Sequence, residues 1–275
     1  MVQSLAIAIG LSSLIAGLAL WRGSLSKSGA AGALVVGTLT FGLGGWVWGA
    51  LLAIFFVSSS LLSHFKEAEK RAAAEKFEKG HRRDMGQVLA NGGLGAGLAV
   101  LSALFPSPIW FFLFVGVMAT VTADTWATEL GTLSKNPPRL ITTGQVVEVG
   151  TSGGVSWLGT AVSFAGGLLI GLVAGLLQQT RDEKMLGRVA LAGAMGGLIG
   201  SLTDSLMGAT IQQIYYCDTC QKDTERKIHK CGTATRPLRG WFWLNNDLVN
   251  LISSIVGGAA AALIGILWYK WTVRK

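Results

Sequence analysis

Five stretches of this sequence, Gln3 to Leu20, Ser28 to Ser63, Met85 to Ala123, Val149 to Thr180 and Leu248 to Tyr269, contain no Asp, Glu, Lys or Arg. A bilayer core about 30 Å thick is crossed by about 20 apolar helical residues, so each stretch is long enough to span it. The composition agrees: of 275 residues, 51% are hydrophobic and 14% charged, with a mean hydropathy of +0.50. A soluble domain carries roughly 25% charged residues. With 3 Cys, 5 Pro and no Gly-X-Y period, disulfide-framework, disordered and collagenous readings fall as well. The expected fold is all-α, a polytopic transmembrane helical bundle forming one integral membrane domain over 1–275.

Two of the runs are too long for one helix. Gly42-Leu43-Gly44-Gly45 divides the second into segments near 29–45 and 46–62, the first of which could be re-entrant. Pro106-Ser107-Pro108 divides the third, because proline lacks a backbone donor and disfavours helix in the residue before it. With spans near 3–20, 155–178, 188–208 and 247–269, the total is about eight. Short loops rich in Lys and Arg stay in the cytoplasm. If Met1 lies outside, 17 of the 23 Lys and Arg are inside, mostly in loops near 63–90, 132–154 and 209–246. The net charge of +8 then suits anionic lipid or phosphate, with nucleic acid a remote partner. The N-terminus enters an apolar run at once, without an Arg-rich leader or a basic region and cleavage site, as in a mature prokaryotic membrane protein.

Ionisable groups inside a membrane cost several kcal/mol unless they face a polar cavity, which makes each one a functional candidate. Asp204 lies in Gly200-Ser201-Leu202-Thr203-Asp204-Ser205, and Ala192, Gly196, Gly200, Asp204 and Gly208 form a row four residues apart. On one reading that row lets a phosphate or metal approach the backbone; on the other it is a groove for helix packing. Asp124 and Glu129 flank Thr128 at the end of another apolar run. Five residues apart, they diverge by about 140° on a regular helix, so either one points inward or the helix unwinds near Trp126. Asp247, after Asn245-Asn246, opens the last span with Asn250 nearby, and alone it reads as a first-turn dipole partner. Together Asp124, Glu129, Asp204 and Asp247, with neighbouring Thr, Ser and Asn, form an oxygen-ligand set for Mg²⁺.

Basic and glycine-rich elements fall on the same side. Lys79, Arg82 and Arg83 lead into a helix whose first turns hold Gln87 and Asn91, and arginine offers a planar donor fork to phosphate oxygens. The preceding Lys66 to Glu78 run, with Glu67/Arg71 and Glu75/Lys79 four apart, reads as a solvated helix. Thr142-Thr143-Gly144 and Gly150-Thr151-Ser152-Gly153-Gly154 precede another helix, where backbone N–H groups and a positive dipole end attract an anion, although a turn and cap explain them equally. Cys217-x2-Cys220 and His229-x-Cys231 bring all three cysteines together with one histidine in a loop. That spacing makes a candidate structural Zn²⁺ site, with unligated or redox-active thiols as the alternative.

These ordered motifs, from Arg82-Arg83 through Asn91-Gly92 to Asn245-Asn246-Asp247 with Asn250, resemble the phytyl-phosphate kinase family of tocopherol biosynthesis, whose wider membership includes the transmembrane protein 19 group. The resemblance covers nearly the whole chain from about residue 22. It implies transfer of a phosphoryl group from CTP, or another nucleoside triphosphate, to an isoprenyl monophosphate; the membrane is expected to be that of a prokaryotic cell or a thylakoid, and the placing of Lys and Arg puts the site on the cytoplasmic face. The chemistry then suggests roles. The acids would hold Mg²⁺, with Asp124 and Asp204 central. Lys79, Arg82 and Arg83 would neutralise phosphates, and Gly150 to Gly154 would cradle them. Gln87, Asn91, Thr128, Thr143, Ser201, Ser205 and Asn250 would bind nucleotide or acceptor, and the prenyl tail would lie among glycine-lined helices open to membrane lipid. A transporter or lipid flippase, marked by inverted repeats, and a nucleotidyltransferase making a CDP-lipid are the competing readings.

Overall fold

The computed structural model describes residues 2–74, 76–77, 82–178 and 183–273. The chain opens with α1 (Val2–Trp21), α2 (Lys27–Gly44), α3 (Trp46–His64) and the short α4 (Glu67–Ala74). The break between α2 and α3 falls at Gly45, whose φ of +90° is a conformation only glycine adopts without strain. Then α5 (Met85–Val88) passes through a π-helical turn at Leu89–Gly93 into α6 (Leu94–Leu104), making one continuous helix over Met85–Leu104. Ser107 caps the N-terminus of α7 (Pro108–Gly131), so the proline break also lies where expected. After it come α8 (Trp157–Leu177), α9 (Glu183–Thr210) and α10 (Asn246–Val273).

Six of these helices, over Trp46–His64, Met85–Leu104, Pro108–Gly131, Trp157–Leu177, Met185–Thr210 and Asn246–Ile266, are long and apolar enough to cross a membrane. The expectation of about eight spans is therefore supported for six. The apolar part of α1, Leu5–Trp21, is shorter, and α2 is diluted by five glycines and two threonines. The all-α expectation also needs amending, because the loops carry small antiparallel sheets. β1 (Arg139–Leu140) pairs with β2 (Gly154–Val155), and β3 (Ile214–Cys217) lies between β4 (Lys222–Thr224) and β5 (Arg236–Arg239). Their strands of two to four residues leave no hydrophobic periodicity to read.

α7 is the central post. Phe112 and the run from Phe114 to Ala123 are buried on every face, against α3, α6, α8, α9 and α10. Where the post meets its neighbours, small residues set the spacing. A Cβ on Gly171 of α8 would lie 2.6 Å from the Val189 carbonyl of α9, and one on Gly257 of α10 would lie 2.6 Å from the Gly196 carbonyl. Close backbone approach is how helices gain dispersion contacts where lipid supplies no hydrophobic drive. α1 and α2 form an outer antiparallel pair, Gly37 meeting Ser12 and Gly42 meeting Leu5, and α2 docks onto α3, α5 and α6.

Counting α5 to α6 as one rod and leaving out the short α4, successive helices alternate in direction. One end of the bundle therefore collects the C-terminal ends of α3, α7 and α9, the N-terminal ends of α5, α8 and α10, and the loops 132–154 and 211–245. A backbone bridge between Leu25 and Arg83 ties the α1–α2 connection to this same end.

Candidate functional site

At that end lies a cavity of about 530 Å³. Its wall contains all four acids singled out from the sequence, Asp124, Glu129, Asp204 and Asp247, together with Arg83, Gln87 and Asn91. Gly150 to Gly154, Thr128, Ser201, Ser205 and Asn250 line it as well. Residues more than 160 positions apart thus converge because their helices end on one plane. Asp124 of α7 accepts from Ser201 of α9 at 3.5 Å, and Ser201 shares a 3.0 Å hydrogen bond with Ser163 of α8. Asp204 accepts from Ser253 of α10 at 3.4 Å. The two carboxylates lie within each other's electrostatic reach, and neither forms an ion pair among the described residues. Two half-buried like charges this close are stabilised by a cation beside them.

Glu129 has a different role from Asp124. The helix stays regular past Trp126, whose ring N–H donates to Ser58 at 3.1 Å, so the acids five residues apart point to different neighbours. Glu129 accepts from Ser63 at 2.8 Å and forms a partly buried ion pair with Lys70. Lys70 also donates to the Leu62 and Ser63 carbonyls at 2.7 and 3.2 Å, closing the C-terminus of α3. The Lys66 to Glu78 run is therefore not simply a solvated helix: Lys70 is 7% exposed and acts as the counter-ion of an intramembrane carboxylate. The expected pairs Glu67/Arg71 and Glu75/Lys79 involve side chains outside the described ones, as does Lys79 itself.

Arg83 donates to Ser60 at 3.0 Å and lies over the rings of Phe55 and Phe56. Burial lowers its pKa to about 10 against the opposing pull of Glu129, which leaves it charged at neutral pH. Arg82 points elsewhere, donating to the Leu25 carbonyl at 3.2 Å on the exposed side of the bridge, so the arginine pair does not act as a pair. Thr143 is also absent from the wall. It sits exposed at the tip of the β1–β2 connection, where its hydroxyl accepts from Gln145 N–H at 3.3 Å. The Gly196 and Gly200 part of the four-residue row is packing surface, since a Cβ on Gly200 would lie 2.3 Å from Thr120. At Asp204 and Gly208 the row opens to the cavity.

Two residues, Glu225 in the wall and Lys76 behind it, carried no sequence signal. Glu225, just past β4, accepts through one oxygen from both Ser152 and Gln212 at 2.9 Å, and its charge reaches Asp124 and Asp204. Lys76 bonds Thr151 at 3.2 Å and pairs at 2.7 Å with Glu148, whose carboxyl it holds below the usual range. Gly153, with φ of +85°, presses against Ala209, where an added Cβ would lie 2.5 Å from the Ala209 nitrogen. The glycine loop is thereby fixed on the end of α9.

A second cavity of about 290 Å³ lies between α1, α2, α3 and α5, lined by apolar groups such as Ile15, Val36, Phe41, Ala53 and Phe56. Arg83, Gln87 and Asn91 belong to the walls of both cavities, so polar headgroup chemistry and an apolar slot share one partition. Outside both, Cys217, Cys220, His229 and Cys231 are gathered with their ligand atoms within 4.8 Å of one another.

No solved structure matches this chain. It is 35% identical over 272 residues to Protein PGR of Arabidopsis thaliana, covering 92% of this chain and 93% of that protein. It is equally 35% identical over 245 residues to an uncharacterized membrane protein of Methanocaldococcus jannaschii, covering 89% and 86%. It is 28% identical over 265 residues to Protein VTE6, chloroplastic, of A. thaliana, covering 94% and 71%. Residues 10–258, nearly the whole bundle and both cavities, match one family, and the chain belongs to the integral membrane proteins DUF92.

Proposed function

We propose that this protein phosphorylates an isoprenyl monophosphate, such as phytyl or geranylgeranyl phosphate, to the diphosphate, using CTP or another nucleoside triphosphate. The observation that carries the reading is the partition. A cavity lined by half-buried acids and a glycine-rich loop adjoins an apolar slot, and Arg83, Gln87 and Asn91 belong to the walls of both. An amphiphile with an anionic head needs that juxtaposition. The resemblance to phytyl-phosphate kinases and the 28% identity to VTE6 agree with it.

The donor set suits Mg²⁺: two half-buried carboxylates that form no ion pair among the described residues, ringed by serine and asparagine oxygens. Asp124 and Asp204 would hold the ion, with Glu225 and Asp247 near, and it would neutralise charge on the nucleotide phosphates. Glu129, already paired with Lys70, keeps the cavity wall in place. Within the Gly150 to Gly154 loop, the Thr151 and Gly154 amides are already donated to the Glu148 and Thr151 carbonyls, so the Gly150, Ser152 and Gly153 amides would receive the nucleotide phosphates, while Arg83 would orient the acceptor phosphate. An oxygen of that phosphate attacks the γ-phosphorus. A P–O bond forms, the bond to the β–γ bridging oxygen breaks, and the electron pair leaves with the nucleoside diphosphate. A phosphomonoester has a second pKa near 6, so its oxygen is already an anion at neutral pH and no general base is required. The Lys- and Arg-rich loops lie at the site end, which supports a site facing the cytoplasm.

The test is product analysis with purified protein, geranylgeranyl phosphate, CTP and Mg²⁺. Geranylgeranyl diphosphate with CDP is the expected outcome, and Asp204→Asn should abolish it. Release of pyrophosphate with a CDP-lipid would assign nucleotidyl transfer instead. Undiminished turnover in Asp204→Asn would remove that residue from the metal site.

A further inference from the structure

The loop between α9 and α10 is built as two tight turns facing one another. Cys217 ends β3 and Cys220 lies in the β3–β4 turn, where Gln221 takes a left-handed φ of +55° and returns its N–H to the Cys217 carbonyl at 2.8 Å. His229 and Cys231 occupy the second turn, where Gly232 has φ +86° and donates to the His229 carbonyl at 2.8 Å. In both half-sites the residue after the last ligand candidate is left-handed, which turns the chain back and points its donors across the gap.

The distances fit one small tetrahedral ion. Zn–S bonds of about 2.3 Å and Zn–N bonds of about 2.0 Å at tetrahedral angles give S···S near 3.8 Å and S···N near 3.5 Å. Cys217 and Cys231 sulfurs are 3.7 Å apart, and His229 Nδ1 is 3.2 Å from the Cys231 sulfur. Three sulfurs and one imidazole make a soft donor set suited to Zn²⁺ and unsuited to Mg²⁺ or Ca²⁺. The sulfurs are not bonded to one another. No open position is left for a substrate, so the ion is structural.

We propose that Cys217, Cys220, His229 and Cys231 bind one Zn²⁺, and that this clip fixes part of the cavity rim. Lys230 stands between two of the ligands and lines the 530 Å³ cavity. Glu225, in the segment joining the two half-sites, donates its backbone N–H to the Lys76 carbonyl at 2.9 Å and presents its carboxylate to Ser152 and Gln212. With chain strands this short, hydrophobic burial does little to hold the segment, and the metal supplies the missing cross-link. The role of Lys230 as a phosphate contact rests on the kinase reading above; the zinc site does not.

The experiment is elemental analysis of the full-length protein purified in detergent, with Co²⁺ exchanged in as a spectroscopic probe. One zinc per chain is expected, with the visible d–d bands of tetrahedral thiolate-bound Co²⁺. Cys217→Ser/Cys231→Ser should lose both, and Cys231→His should retain the metal. Lys230→Ala should keep full zinc while weakening nucleotide binding several-fold. Zinc-free protein after growth with added zinc, zinc undiminished in the double serine variant, or a Cys217–Cys231 disulfide in freshly purified protein would each overturn the site. Bound zinc in a protein that makes no diphosphate would leave the clip standing and remove the kinase reading alone.

Discussion

Ser152 donates its hydroxyl to Glu225 at 2.9 Å, joining the glycine loop that follows α7 to the sheet-bearing loop that follows α9. The same carboxylate oxygen accepts from Gln212, and the charge of Glu225 reaches Asp124 and Asp204. Glu225→Gln keeps the size of the side chain and removes its charge. It should lower kcat/KM by about 10- to 100-fold, as loss of an outer partner of a metal does, and raise the Mg²⁺ concentration giving half-maximal rate. Mg²⁺ titrations of both proteins measure this; an unchanged midpoint would separate Glu225 from the cation.

Lys70 is buried and Glu129 partly so, and removing one partner strands the other. Lys70→Met should destabilise the bundle by roughly 3–5 kcal/mol, while Lys70→Met combined with Glu129→Leu should recover most of the loss. Thermal unfolding in detergent gives the order of the three proteins. Activity retained in the double variant would show Glu129 to be a wall residue and not a ligand.

If the apolar slot takes the prenyl tail, its depth should set the accepted chain length. Ala53→Trp fills part of the slot with a group that lipid-facing helices tolerate. It should raise KM for geranylgeranyl phosphate by about tenfold or more while leaving a five-carbon prenyl phosphate nearly unaffected, since each buried CH₂ contributes about 0.8 kcal/mol. Equal losses for both acceptors would place the tail elsewhere.

The rate should follow ionisation of the acceptor. Protonating the monoester dianion removes the nucleophile, so kcat/KM should fall about tenfold per pH unit below about pH 6 and stay level above it. A pH profile with geranylgeranyl phosphate checks this. A limb ascending well above pH 7 would reveal a protein base.

The helices and their breaks were legible because charge-free runs, Gly42 to Gly45 and the Pro106–Pro108 pair act locally. The acids were legible because a carboxylate in an apolar run is costly wherever it lies. What escaped depended on distance. Lys70 looks like any residue of a charged helix until Glu129, 59 positions later, turns out to face it. Glu225 sits in a polar loop where nothing local distinguishes it from Asp223. Arg82 and Arg83 are neighbours in sequence, yet the bridge to Leu25 sends one outward and the other into the cavity wall. The glycine row on α9 was legible as a row, but only Thr120 and Gly257 from other helices reveal that most of it is packing.

The π-helical turn at Leu89–Gly93 holds one residue more than an α-helical turn requires. Deleting a residue there would rotate everything beyond it by about 100°. Gly95 would swing away from Phe114, whose ring now lies 3.0 Å from where its Cβ would be. That single inserted residue works as a gear, letting one rod aim its amide side chains at the pocket near one end while seating its small residues on the central post at the other.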